Sequence, residues 1–296
     1  MAAGRAGLIS LSGRTALLTG ATGSLGGAIA EAYCRAGARV LLSSRHEGPL
    51  EELARTLSAR YRGDVAILPC DLSQPADVRR LANDACCRFG GLDILVNAAA
   101  VLGPIGPVWE AEWAEWTRTL EVNLCAAAQL CQLCIPHMPL APGRGKIVNL
   151  SGGGATSPRP RFSAYAAAKA ALVRFSETLA AELAERSIDV NCVAPGALNS
   201  RLTRAALDAG PERVGRHEYE AAREVVSGAI DGRERAAELC TFLASAASDG
   251  ITGKLISAQW DPWPSFAEHR DDLAGTDVYT LRRILPRDRG LTWDTT

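Results

Sequence analysis

The chain has 296 residues, of which 47% are hydrophobic and 22% are charged, and its formal net charge is −1. This length and composition suffice for one large α/β core, and the near-zero charge gives no reason to expect nucleic acid or an anionic membrane surface as a partner. No apolar run approaches the ~20 residues of a spanning helix, so no membrane association is expected.

The nine cysteines are scattered along the chain, and Cys131 and Cys134 form a CxxC motif. No second pair with metal-ligand spacing accompanies it, so packed helix cysteines are expected and no metal site is predicted. Residues 1–12 lack the charged and apolar regions of a signal peptide. An odd number of cysteines without such a signal predicts free thiols in a reducing compartment, and hence a cytoplasmic protein.

The N-terminal part of the sequence predicts a strand, a glycine-rich turn, a helix and a second strand. Residues 14–19 and 39–42 are short apolar runs, and an Ala-rich helix pattern covers residues 28–36. Glycines between strand and helix let the backbone approach a pyrophosphate, which then lies at a helix N-terminus. A glycine turn without a ligand is the alternative. The residues predicted to bind a dinucleotide here are Gly20, Thr22, Gly23, Ser24, Leu25 and Gly26.

The alternation of strands and helices continues to residue 258. Strands are predicted at residues 64–70, 92–97, 146–150, 189–193 and 254–258, and helices at residues 76–89, 116–138, 164–186 and 233–244. Pro139 and Pro142 are expected to end the helix at 116–138. This order predicts a single-domain α/β fold with a doubly wound, Rossmann-like parallel sheet of about seven strands. Its ligand is expected at the carboxyl ends of the strands, which Asn97, Ser151 and Pro195 follow.

Tyr165 and Lys169 are four residues apart in the helix predicted at 164–186, so their side chains share one helix face. A phenol titrates near ~10 and is a poor acid at neutral pH. A neighbouring ammonium favours the phenolate, so we expect the pKa of Tyr165 to be lowered. The pair suits proton transfer to or from an alcohol or carbonyl oxygen, although Tyr and Lys at this spacing also occur on surface helices.

Several motifs occur in a fixed order along the chain. They are Thr19-Gly20 through Gly26, Asp71-Leu72, Asn97-Ala98-Ala99, Asn123, Tyr165 with Lys169, and Pro195-Gly196. Over roughly residues 11–257 the chain thereby resembles the short-chain dehydrogenase/reductases, which are one-domain nicotinamide oxidoreductases. The resemblance implies that Tyr165 is the general acid in ketone reduction and that Lys169 lowers its pKa and bonds the nicotinamide ribose. It also implies that Asn123 holds a water for proton relay; a bond to a backbone carbonyl is the alternative.

The same resemblance implies contacts along the cofactor. In the family pattern, Asp71 and Leu72 would contact the adenine and Asn97 would contact the adenine ribose. Pro195 and Gly196 would contact the nicotinamide, and Ser200 would contact its carboxamide. For Asp71 and Ser200, helix capping or a turn is the alternative. The second strand ends in Ser44 and Arg45, with no carboxylate for a ribose 2′-hydroxyl. Arg45 suits a 2′-phosphate by charge and by forked geometry, so NADP(H) is predicted over NAD(H).

Two departures from the family pattern affect the expected chemistry. Ser24 stands where the shorter family branch usually has a glycine, and the resulting spacing is similar to the branch of nucleotide-sugar epimerases and dehydratases. The motifs at Asn97, Asn123 and Pro195 nevertheless favour the shorter branch. Gly152 replaces the usual serine that polarises the substrate carbonyl. Ser151 is then either the replacement donor or a strand cap, with backbone N–H groups polarising the carbonyl.

The leading hypothesis is an NADP(H)-dependent oxidoreductase that interconverts a small-molecule ketone and a secondary alcohol. A nucleotide-sugar epimerase or dehydratase and a catalytically weak cofactor-binding regulator are the alternatives. We expect residues 1–258 to form the dinucleotide-binding domain, with a substrate lid at about residues 198–230. Residues 259–296 are expected to be a C-terminal extension. The resemblance implies a homodimer or homotetramer.

Overall fold

The apolar runs of the sequence form one sheet in the computed structural model, which describes residues 9–139, 145–228 and 230–293. Its strands are β1 Thr15–Thr19, β2 Arg39–Ser43, β3 Val65–Ile67, β4 Ile94–Asn97, β5 Gly145–Leu150, β6 Ile188–Ala194 and β7 Leu255–Ser257. They lie in the order β3-β2-β1-β4-β5-β6-β7, and all neighbours are parallel. The predicted seven-stranded α/β fold is therefore confirmed.

Helices cover both faces of this sheet. They are α1 Ser24–Arg35, α2 Glu47–Tyr61, α3 Pro75–Cys87, α4 Trp113–Leu120, α5 Ala126–Cys134, α6 Ser163–Glu182, α7 Arg201–Asp208, α8 Gly210–Val214, α9 Arg216–Val226, α10 Arg233–Leu243 and α11 Arg270–Gly275. Leu18 of β1 packs in the cluster that contains α1 and α10, whereas Leu17 packs in the cluster with α3, α5 and α6. Burial on both faces explains why the strands are rich in apolar residues, although β5 and β6 also contain buried polar side chains. Within the described residues, no helix is both long and apolar enough to cross a bilayer.

Three elements differ from the sequence-based expectations. Helix α2 was not predicted, because Gly48 and Pro49 in its first turn are typical of loops and only two of its side chains are buried. Strand β3 has three residues rather than seven, since it lies at the sheet edge and pairs with β2 alone. The single helix expected at 116–138 is α4 and α5 joined by a π-helical turn, Glu121–Cys125, and Pro142 lies outside the described residues.

The segments expected to form a lid and an extension both pack on the domain. Helices α7 to α9 occupy the lid segment, of which residue 229 is outside the description. In the extension, Trp263 and Phe266 are buried in the main core. The backbone N–H of Leu255 in β7 donates to the carbonyl of Tyr279 at 2.8 Å, so the extension also lies along the outer edge of the sheet. Trp260, in contrast, is exposed.

Candidate active site

The chain reverses its winding direction between β1 and β4, which are neighbours in the sheet although β2 and β3 intervene in sequence. A crevice is expected outside the carboxyl ends of strands at such a switch point. The structure has an elongated cavity there, which encloses about 1300 Å³ when its open mouth is included. Residues that follow β1 to β6 contribute to its walls.

Most of the predicted site residues line this one cavity. They are Gly20, Thr22, Gly23, Ser24, Leu25, Gly26, Ser44, Arg45, Asp71, Leu72, Ser151, Tyr165, Lys169, Pro195 and Ser200. These residues are spread over 180 positions of sequence, from 20 to 200, and the parallel sheet brings them to the same edge. The cavity also contains residues that were not predicted, among them Cys70, Val101, Arg118, Val122 and Arg201. Arg118 and Val122 are four apart, so helical periodicity before Asn123 could have indicated them.

Three predicted residues do not line the cavity, and each has a structural contact instead. Asn97 is buried, and its amide donates to the Asn149 side chain at 2.8 Å. Asn123 lies in the π-helical turn, accepts from the backbone N–H of Val101 and donates to the Val101 carbonyl, both at 2.8 Å. It therefore fixes a segment that lines the cavity rather than facing the cavity itself. Gly196 packs against the Gln259 side chain.

The glycine turn brings the start of α1 to the cavity wall. Helix α1 begins at Ser24 without a side-chain cap from Gly23, so N–H groups of its first turn have no intrahelical partner. The Ser24 hydroxyl is buried and has no hydrogen-bond partner among the described residues. Unpaired donors at a helix N-terminus suit an anionic group such as a pyrophosphate. The residues present thus fit the phosphates of a dinucleotide.

Gly26 is predicted to be indispensable to this turn. A Cβ atom at residue 26 would lie less than 3.0 Å from the carbonyl carbon and oxygen of Gly20, which are backbone atoms that cannot rotate away. Gly26→Ala is expected to destabilise the protein by about 1–3 kcal/mol and to weaken dinucleotide binding. Thermal unfolding and cofactor titration measure both effects. Gly27→Ala is the matched control, because its Cβ would meet only the Ala21 carbonyl, at 3.7 Å; equal losses in both variants would contradict the prediction.

Positive charge surrounds the other end of the cavity, near β2 and β3. Burial alone would raise the pKa of Asp71, yet hydrogen bonds from Ser73 and the charges of Arg45 and Arg118 lower it. Asp71 also accepts bonds from the Ser73 backbone N–H at 3.0 Å and hydroxyl at 2.8 Å, the turn geometry named as its alternative role. The hydroxyls of Thr22 and Ser44 are 3.1 Å apart. One carboxylate between two guanidinium groups leaves net positive charge for an anionic ligand.

Tyr165 and Lys169 lie in the first two turns of α6 and are both buried. The Lys169 Nζ donates to the Leu150 carbonyl at 2.6 Å, and burial lowers the pKa of Lys169 to about 8. Burial raises the pKa of Tyr165, and the charge that opposes this effect is Arg159. The expected lowering of the Tyr165 pKa is therefore not found, because burial outweighs the opposing charge and Lys169 is itself desolvated.

The loop after β5 places a free hydroxyl beside these two residues. Ser151 lines the cavity, and its Oγ is buried without a hydrogen-bond partner in the described part of the chain. Its backbone N–H continues the strand pattern by donating to the Val193 carbonyl at 2.8 Å. A Cβ at Gly152 would lie less than 3.0 Å from the Tyr165 hydroxyl. The phenol thus occupies the space that a side chain at residue 152 would need.

The cysteines take no part in this site apart from Cys70. Cys131 and Cys134 are both buried in the core on the α3, α5 and α6 face, where burial raises the pKa of Cys131 to about 12. Among the residues that the structure describes, no cluster of His, Cys, Asp and Glu could hold a metal ion. The CxxC motif is therefore part of the core packing.

Comparison with known proteins identifies the family of the chain. Residues 20–259 match the family model described as enoyl-(acyl carrier protein) reductase. The chain is 32% identical over 247 residues to dehydrogenase/reductase SDR family member 4 from Homo sapiens, covering 83% of this chain and 86% of that protein. It is 34% identical over 244 residues to D-threitol dehydrogenase from Mycolicibacterium smegmatis, covering 82% of this chain and 90% of that protein.

A solved structure supports the same assignment. L-sorbose reductase from Gluconobacter frateurii, complexed with NADPH and L-sorbose, superposes with a TM-score of 0.73 and 29% identity, covering 84% of this chain and 96% of that chain. The fold, the order of the motifs and these relatives agree. The chain belongs to the short-chain dehydrogenase/reductase family and is an NAD(P)-dependent oxidoreductase that acts on CH–OH and C=O groups.

Proposed function

We propose that the chain interconverts a ketone and a secondary alcohol with NADP(H), and that Tyr165 is the general acid and base. The observation that carries this proposal is the juxtaposition of Tyr165, Lys169 and the unpaired Ser151 hydroxyl in a cavity whose other end carries Arg45. The turnover of NADPH with a panel of carbonyl compounds, followed by nicotinamide absorbance, tests it. Turnover of no member of the panel would count against it.

The residues of the cavity suit the parts of the cofactor in order. The phosphates would bind the glycine turn and the start of α1, and Asp71 with Leu72 would contact the adenine. Pro195 and Ser200 would adjoin the nicotinamide, with Lys169 on its ribose. When bound, the nicotinamide donates or accepts the hydride. The protein supplies the binding groups, the orientation and the proton.

Tyr165 is protonated at neutral pH and is the proposed donor of the proton in carbonyl reduction. Because burial raises its pKa, the hydroxyl stays protonated under these conditions and can give its proton to the oxygen of a ketone as that oxygen becomes an alcohol. The reverse reaction requires the ionised phenol, so alcohol oxidation should accelerate as the pH rises.

Arg45 is proposed to select the phosphorylated cofactor. A guanidinium bonded to a 2′-phosphate contributes about 1.5–3 kcal/mol, so Arg45→Gln is expected to raise the KM for NADPH by about 10- to 100-fold. NADH lacks this phosphate, and its KM serves as the internal control because it should change little. Steady-state kinetics with both cofactors measure the ratio. An equal change in both KM values would show that Arg45 does not read the phosphate.

A lid, a substrate class and an assembly are also proposed. Leu198 and, from α7, Arg201 and Leu202 line the cavity. Helices α7 to α9 are proposed to close over a small carbonyl or alcohol substrate there. The relatives named for D-threitol and L-sorbose act on small polyhydroxylated compounds, which makes such compounds the first to test. A cytoplasmic homodimer or homotetramer remains the proposed form.

A second candidate is a cofactor-binding protein with little turnover. Gly152 favours this candidate, because the hydroxyl that usually polarises the substrate carbonyl is missing at that position. The two candidates differ in one measurement. Consumption of NADPH that is abolished in Tyr165→Phe would exclude the second candidate, whereas binding of NADPH without turnover of any carbonyl compound would support it.

A further inference from the structure

Two arginines attach the lid to the loop that precedes Tyr165. Arg159 donates from Nε to one carboxylate oxygen of Glu218 in α9 at 3.0 Å and from Nη2 to the other at 2.8 Å. Arg161 donates from Nη1 to the backbone carbonyls of Glu212 and Arg213 at the end of α8. Both arginines therefore fix the lid, but only the first does so through a charged side chain of the lid.

Arg159 is distinguished from Arg161 by a second set of contacts. Its guanidinium carbon is 4.2 Å from the centroid of the Phe162 ring and 5.7 Å from that of Tyr165. The side chain of Arg159 is about a fifth exposed, so bulk water screens its charge only in part. A cation over an aromatic face is attracted to the ring, and it is attracted more strongly once the phenol ionises.

The surroundings of Tyr165 leave few other charges to act on it. Its ring packs in an apolar cluster with Leu102, Phe162 and the lid residues Ala206 and Val214. The loop before α6 and α6 itself contribute Arg159 and Lys169, and α9 contributes Glu218 and Tyr219. The other two lid helices packed around Tyr165 also carry titratable groups, which are Arg201, Arg204 and Asp208 in α7 and Glu212 and Arg213 in α8. Arg159 is the charge that lowers the pKa of Tyr165 against burial. Glu218 is the anion that determines where that charge lies.

We infer that Arg159 is a positioning residue for proton transfer: Glu218 of the lid holds its guanidinium over the Tyr165 ring, where it stabilises the phenolate. This inference rests on the proposed function of Tyr165. In reduction, the O–H bond of Tyr165 breaks as the proton moves to the substrate oxygen, and the negative charge left on the phenol faces Arg159. The Arg159–Glu218 ion pair thus joins the lid to the group that stabilises the phenolate.

The pH dependence of alcohol oxidation tests this inference, because that reaction requires the ionised phenol. The value of kcat/KM for alcohol oxidation should rise with pH, and this rise is the rising limb of the pH profile. In Arg159→Gln the rising limb is expected to shift by about 0.5–1 pH unit to the alkaline side. At a fixed pH on that limb, kcat/KM would then be about 3- to 10-fold lower. Arg159→Lys keeps the positive charge but loses the forked guanidinium that bonds both carboxylate oxygens of Glu218, so its limb should lie between those of the wild type and Arg159→Gln. Arg161→Gln is the matched control: it weakens the attachment of the lid and should leave the position of the limb unchanged.

Glu218→Gln separates positioning from simple charge. Removing an anion near Tyr165 would by itself shift the limb to the acid side. If Glu218 holds Arg159 in place, its loss frees the guanidinium and the limb shifts to the alkaline side, as in Arg159→Gln. An acid shift in Glu218→Gln, or an unchanged limb in Arg159→Gln, would overturn the inference.

A second readout distinguishes failure of this inference from failure of the proposed function. The ultraviolet absorbance of tyrosinate, taken as the difference from Tyr165→Phe, reports the ionisation of Tyr165 without turnover. An alkaline shift of this transition in Arg159→Gln supports the inference, and an unchanged transition overturns it, whatever the enzyme turns over. Wild-type turnover in Tyr165→Phe would instead overturn the proposed function.

Discussion

Replacing Tyr165 by phenylalanine is expected to lower kcat for carbonyl reduction by about 10²- to 10⁴-fold, because the variant lacks the hydroxyl that is proposed to give its proton to the substrate oxygen. The ring should remain in place, since its contacts with Leu102, Phe162 and Val214 are apolar and are unaffected by loss of the hydroxyl. The measurement is kcat and KM with the best carbonyl substrate, together with the dissociation constant for NADPH. Cofactor affinity should change little.

Tyr219→Phe is the matched control for this variant. Tyr219 packs against the same apolar cluster from α9, but it does not line the cavity. Its activity should therefore stay close to that of the wild type, which separates loss of the catalytic hydroxyl from disturbance of the cluster. A Tyr165→Phe enzyme that retains wild-type kcat would remove Tyr165 from the mechanism and leave the Tyr–Lys pair as a feature of packing.

The parts of the fold that sequence could predict are those that local patterns determine. Most strands are rich in apolar residues, because a parallel sheet is buried on both faces, and that pattern is visible without tertiary information. Helix α2 was missed because its first turn contains Gly48 and Pro49 and its exposed faces give little amphipathic signal. The π-helical turn at Glu121–Cys125 has no sequence signature, since its hydrogen bonds depend on how α4 and α5 pack.

Some features of the site could likewise be predicted from local sequence patterns, and others could not. The glycine turn and the spacing of Tyr165 and Lys169 are local, and the structure places both in the cavity. Asn123 illustrates what local reasoning cannot determine, because its partner, Val101, is 22 residues away. The direction of the Tyr165 pKa shift also depends on tertiary structure: burial and Arg159 decide it, and neither is visible in the i, i+4 spacing.

Ser151 is the serine of this loop that lines the cavity, whereas Ser157 is exposed outside it, so Ser151 is the proposed side-chain donor that polarises the substrate carbonyl. Residue 152 carries no side chain, and the Tyr165 hydroxyl occupies the space in which its Cβ would lie. The Ser151 Oγ is buried at the cavity wall with no partner among the residues described, although buried hydroxyl groups are normally hydrogen-bonded. A substrate oxygen between Ser151 and Tyr165 would provide the missing partner.

Ser151→Ala is therefore expected to reduce kcat by about 10²- to 10³-fold, the effect of removing one donor from a developing oxyanion. Stability should be maintained, because the lost hydroxyl has no hydrogen bond to another described residue. Ser163→Ala is the matched control: this hydroxyl accepts a bond from the Trp116 indole at 3.1 Å and does not line the cavity. Wild-type kcat in Ser151→Ala would show instead that backbone N–H groups polarise the carbonyl, and would leave Ser151 as a residue of the strand end.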